Sequence, residues 1–139
     1  MSIFRIKKNT LFDAALSKVS ALTIAIESGE KPYLEQNKFF QIVKDDPKSP
    51  MIMGMGGNKH LIYYPANSTP YLHTYDTQIK YVEILAGEIF DKLTDKKYIQ
   101  GDRFKIYPGQ EIEPYTKDAE AYVRVCVSSS DTIWERVCN

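Results

Sequence analysis

The residues best suited to chemistry in this chain are few: two histidines, His60 and His73, and two cysteines, Cys126 and Cys138. Four-cysteine zinc sites are ruled out by count. A site of two cysteines and two histidines is argued against, because the chain contains neither a C-x-x-C nor an H-x-x-x-H spacing. The cysteines stand twelve positions apart, one inside an apolar run and one next to the C-terminus. Nothing in that spacing suggests a staple, so two free thiols in a reducing compartment are expected. No histidine can be assigned as a base to Cys126, which reads as an inert packed thiol. The stretch Met51-Ile-Met-Gly-Met-Gly-Gly57 has the glycine content of a phosphate loop but not the G-x-x-x-x-G-K-[ST] order, and no helix pattern follows it. It reads instead as a strand entering a bend, with methionines filling a gap or meeting a partner. Lysine plus arginine and aspartate plus glutamate number 18 each, so no basic footprint for nucleic acid exists.

Those side chains must be positioned by one domain, since 139 residues suffice for a single core and not for two. A hydrophobic share of 43% places the chain outside the disordered range. The N-terminus has no apolar signal region, because Arg5, Lys7 and Lys8 interrupt it, and Val19 to Ile26 is too short to span a membrane. A cytoplasmic protein without membrane contact is the expectation. Thr10-Leu-Phe-Asp13 resembles a helix N-terminus, and Phe12, Ala15, Leu16, Val19, Leu22 and Ile26 then recur at helical spacing, with Gly29 and Pro32 as stop signals. Leu22 to Ile26 also suits a strand, which leaves the helix end open. Residues 1–48 are therefore expected as an α-helical N-terminal extension, and residues 49–139 as an all-β domain.

In that second part, runs rich in Val, Ile, Tyr and Phe alternate with turn residues at about ten-residue intervals, the spacing of a sandwich or barrel. Strands are expected at His60–Tyr64, Tyr71–Tyr75, Ile79–Leu85, Glu88–Leu93, Lys97–Ile99, Arg103–Tyr107, Glu111–Tyr115, Ala121–Val127 and Thr132–Val137. Alternation is cleanest in Ala121–Val127, where the valines share one face and Tyr122, Arg124 and Cys126 the other. In Arg103–Tyr107, Phe104 and Ile106 oppose Arg103, Lys105 and Tyr107.

Residues 71–127 resemble the cupin superfamily of RmlC-like small β-barrels. Val82-Glu-Ile-Leu-Ala-Gly-Glu-Ile89 is similar to the strand-turn-strand of the first cupin motif, and Gly101-Asp102 with Tyr107-Pro108-Gly109 to the second. The proline falls one residue late. The resemblance implies an all-β, cupin-like double-stranded β-helix (a jelly-roll barrel) in which Gly87 and Gly109 take positive φ and Pro108 presets its turn. It also locates the positions of the usual metal ligands, which here hold His73, Tyr75, Lys80 and Ile112. One ligand of four remains, since an ammonium coordinates only after losing its proton and isoleucine not at all. The expectation is a cupin-like protein with no metal and no cofactor. His73, Tyr75 and Lys80, joined by Tyr107 and Arg124, would bind a small polar or anionic ligand. Read as structure alone, the same histidine is a hydrogen-bonded group, and Lys80 and Arg124 are solvated strand-edge charges. The competing readings are an interaction module and an enzyme, either a metal-free sugar isomerase or epimerase or a metal cupin with altered ligands. A homodimer is also implied, because cupin barrels commonly pair through sheet edges.

Overall fold

A computed structural model describes residues 39–74 and 77–138 of the chain. The helix expected over residues 10–26, the remainder of residues 1–38, and Tyr75 lie outside the described residues. Eleven strands follow in order: β1 (Phe40–Gln41), β2 (Met51–Gly56), β3 (Lys59–Tyr64), β4 (His73–Thr74), β5 (Ile79–Ala86), β6 (Glu88–Asp91), β7 (Lys96–Ile99), β8 (Arg103–Ile106), β9 (Glu111–Ile112), β10 (Pro114–Tyr115) and β11 (Ala121–Ser128). One short helix, α1 (Trp134–Cys138), ends the described chain. All strand pairs are antiparallel. They form a six-stranded sheet in the order β1-β2-β3-β11-β5-β8, a three-stranded sheet β10-β6-β7, and the pair β4-β9.

The interior lies between the large sheet and the two small ones, and strand periodicity puts it there. In β3 the residues His60, Ile62 and Tyr64 are buried while Lys59, Leu61 and Tyr63 stand half-exposed. In β11 Val123 and Val125 enter the same core as Val82 and Ile84 of β5, and Ile89, Ile106 and Ile112 close it from β6, β8 and β9. A period of two, apolar inward, is enough to set the register, because a one-residue slip would turn every one of these side chains outward. The sheet begins before residue 49: Phe40 pairs with Ile52, Gln41 with Met51, and Ile42 belongs to the main core.

Two glycine positions show why the turns fall where they do. Gly87, between β5 and β6, has φ 79°, and a β-carbon there would run into the Glu120 carbonyl. Gly109 has φ 84°, and the Gln110 amide donates to the Tyr107 carbonyl at 3.0 Å, closing the turn that Pro108 presets.

Three expectations are corrected. Glu111–Tyr115 is two strands in different sheets. Between them the Glu113 amide donates to the Asp91 carboxylate at 3.0 Å, and the Glu113 carbonyl accepts from Lys92, so this residue is held by the end of β6 and the residue that follows it. Thr132–Val137 is not a strand: Trp134, Val137 and Cys138 stand at helical spacing, and the last two are buried as a turn of helix against the sheet. The cysteines are not free thiols. Cys126 and Cys138 form a disulfide across a Cα–Cα distance of 5.6 Å, because the outward face of β11 lies beneath the returning helix. With it falls the argument from free thiols for a reducing compartment. No helix among the described residues is long and apolar enough to cross a membrane.

Candidate functional site: the polar end of the barrel

The interior face of β5 carries Lys80, Val82 and Ile84, so the same alternation that builds the core also turns Lys80 inward. Its side chain is 3% exposed. Lys80 pairs in register with Ile106 of β8 and Val127 of β11, and its Nζ donates to the Gln78 carbonyl at 3.4 Å. His60, 1% exposed, occupies the interior face of β3 on the other side of β11, opposite Gly54 of β2. Burial pushes the His60 imidazole down to about 4, helped by the positive charge of Lys80 and opposed by its hydrogen bond to the Val125 backbone. The imidazole is therefore neutral at pH 7. A lysine and a neutral histidine thus lie near one another beside the apolar core.

The middle of the barrel is nearly full. A cavity of about 20 Å³ remains between the sheets, room for about one water by ordinary cavity measure. Ile62, Val82, Phe104, Ile112 and Val125 are among its walls, which carry almost no polar surface. A ligand larger than a water has no place there without moving core side chains.

Of the five residues singled out in the sequence, the structure brings only some toward this end. Lys80 is there. Backbone pairing sets His73 of β4 opposite Ile112 of β9, so two positions that the cupin resemblance assigns to metal ligands are cross-strand neighbours. Arg124 is not there. It lies on the outward face of β11, where its Nη2 meets the Glu83 carboxylate at 2.6 Å, and Glu83 also accepts from Arg103 at 3.1 Å. Tyr107 is also outside. It is 42% exposed, and its hydroxyl approaches Asp131 at 3.3 Å beside the Lys105–Asp131 ion pair. His60 was missed as a member of the site, although its alternation with Ile62 and Tyr64 placed it on their face.

The residues do not fit the metal that cupin barrels commonly hold. At the expected ligand positions, Lys80 brings a positive charge into the interior, and Ile112, 5% exposed, belongs to the apolar wall. A lysine offers a lone pair only after losing its proton, and isoleucine offers none. Among the described residues no three His, Cys, Asp or Glu side chains converge on one point.

With this geometry in hand, the class of protein is defined by its fold. No protein-family model matches the chain, and no curated protein matches it in sequence. Solved structures do match. A predicted oxalate decarboxylase from Thermotoga maritima superposes with a TM-score of 0.55 at 13% identity, covering 69% of this chain and 95% of its own. An RmlC-like cupin from Shewanella frigidimarina gives 0.51 at 13% identity over 71% of this chain and 89% of its own. KdgF from a Halomonas species gives 0.51 at 9% identity over 68% and 90%. The chain therefore has the RmlC-like cupin fold, an all-β double-stranded β-helix.

Proposed function

We propose that this chain is a metal-independent cupin-type protein that binds a small anionic ligand at the Lys80 end of the barrel. The observation that carries the reading is the buried lysine on the interior face, at the place where the resemblance assigns a carboxylate metal ligand. A lysine in place of a carboxylate removes a donor that a cation needs and adds a positive charge that favours an anion. Neutral His60 beside it supplies one ring N–H or lone pair for orientation, and the apolar wall behind excludes water. The near-full middle keeps the ligand small: carboxylate- or phosphate-sized, seated at the end and not across the barrel. Among the named structural matches is a predicted oxalate decarboxylase, whose stated substrate is a small dianion. That agrees with an anion in size and charge.

Calorimetric titration of the full chain with oxalate, acetate and inorganic phosphate tests the proposal. At least one anion is expected to bind with one-to-one stoichiometry, and Lys80→Gln is expected to weaken it tenfold or more. Binding that survives Lys80→Gln unchanged, or no binding of any of the three, would overturn it. Any homodimer or catalytic activity stands apart from this reading.

A further inference from the structure

Met51, Met53 and Met55 recur at every second position of β2, and the anion reading makes no use of them. Alternation turns Ile52 between them into the core at 1% exposure and sets the methionines on the opposite, outward face. Met51 and Met53 are half-exposed, and Met55 is 48% exposed. None of the three belongs to or packs against either cluster of core residues. Filling gaps in a core, a frequent use of methionine, is therefore not their role.

The strand holds their thioethers within reach of one another. Residues two apart on a strand are separated by about 7 Å. Two unbranched methionine side chains, each with several free torsions, close such a gap by leaning together. Beyond Met53 the ladder shifts: Gly54 pairs with His60 but Gly56 with Lys59, so Met55 is the extra residue of a bulge. A bulge bends its strand and re-aims the side chain it carries. Gly54 and Gly56, on either side of Met55, have no side chains to crowd it. On the other edge β1 pairs with β2 only at Met51 and Ile52, so among the described residues no strand pairs there with Met53 or Met55.

A thioether is a neutral, polarisable donor. It suits soft ions such as Cu(I), whereas magnesium and calcium take oxygen ligands. No carboxylate pairs with β2 across the β3 ladder, where the outward partners are Tyr63, Leu61 and Lys59. Arg124, beside Leu61 in β11, is held by the Glu83 carboxylate at 2.6 Å. The positive charge of Lys59 weighs twice as heavily against a divalent ion as against a monovalent one, because repulsion scales with charge. Donor softness and local charge thus select the same class of ion. We propose that the methionines of β2, centred on Met53, bind one soft monovalent cation, Cu(I) or its analogue Ag(I). The site lies on the outside of the sheet and does not depend on the anion reading of the Lys80 end.

Silver nitrate, a redox-inert stand-in for Cu(I), tests this on the full chain by NMR of carbon-13-labelled methionine methyl groups in chloride-free buffer. Both cysteines are in the disulfide and offer no competing thiolate. Met51→Leu, Met53→Leu and Met55→Leu assign the resonances, and N-acetylmethionine in the same tube reports what a single thioether binds. One equivalent of silver is expected to move the Met53 methyl together with that of Met51, Met55 or both, leaving N-acetylmethionine in place. Magnesium nitrate is expected to move none of them, and Met53→Leu to weaken silver binding at least tenfold. Shifts confined to one methionine of β2, or no shift at all, would overturn the proposal. So would equal shifts of N-acetylmethionine, equal shifts with magnesium, or an affinity unchanged in Met53→Leu. The methyl shifts of the unaltered chain carry the test even where a variant fails to fold.

Discussion

His60 and Lys80 are ordinary residue types made unusual by burial. An imidazole held down at about 4 takes up its proton later in the folded chain than in the unfolded one, whose ordinary value is 6.5. Between those values the unfolded state binds more protons, so this group's contribution to stability is complete above about pH 6.5 and is lost as the pH falls toward 4. The full loss is on the order of 3 kcal/mol. His60→Asn should therefore flatten the pH dependence of urea unfolding between pH 6.5 and 4. An unchanged slope would show that the imidazole is not shielded from water. Gly87 gives a second residue-scale prediction. Gly87→Ala must hold an alanine at positive φ against the Glu120 carbonyl, so a loss of about 2–4 kcal/mol is expected in the same unfolding assay. The need for glycine there was legible from Ala86-Gly87 in a run of strands. The role of His60 was not: alternation placed it on a buried face, but only the pairing of β3 and β5 through β11 set it beside Lys80.

At the scale of elements, alternation carried most of the reading, and it failed where an element's partner lies far away in sequence. Val123 and Val125 turned inward and Arg124 outward, as the period of two required. Lys80 and Glu83, three apart on β5, fell on opposite faces for the same reason. The C-terminal run misled because Thr132, Ile133 and Val137 are β-branched, while its helical spacing of Trp134, Val137 and Cys138 is a single turn long. The disulfide was hidden for a related reason, since a strand through residue 137 would have carried Cys138 away from Cys126. It now anchors α1 to β11, with Tyr81 beneath donating from its hydroxyl to the Ser130 carbonyl at 2.8 Å. Closing a loop of this size is worth about 3 kcal/mol. The paired change Cys126→Ala with Cys138→Ala should lower the urea midpoint accordingly, and a reductant should lower the parent's by a similar amount. A parent indifferent to reductant would contradict an oxidised pair.

On the scale of the whole molecule, the fold was legible because its turns and its periodicity agree. Gly87, Gly101 and Gly109 all take positive φ at the corners of a barrel whose strands point apolar side chains inward. The candidate site was legible only in part. Counting from the motif glycines singled out Lys80, which β5 turns inward, and His73 and Ile112, which the structure makes cross-strand neighbours. Arg124 and Tyr107 were added on residue type, and the structure puts both on the outside. A barrel that takes an anion at the Lys80 end, as proposed, differs in kind from one that holds a metal, and unfolding temperature separates the two directly. A ligand that binds only the folded state raises the midpoint, by about 2.7 kcal/mol of stability at a hundred times its dissociation constant. The decisive measurement is the midpoint of the full chain in separate titrations with oxalate, acetate, phosphate and manganese. A rise with at least one anion, absent in Lys80→Gln, and none with manganese is the predicted result. A rise with manganese and with none of the anions would contradict the account.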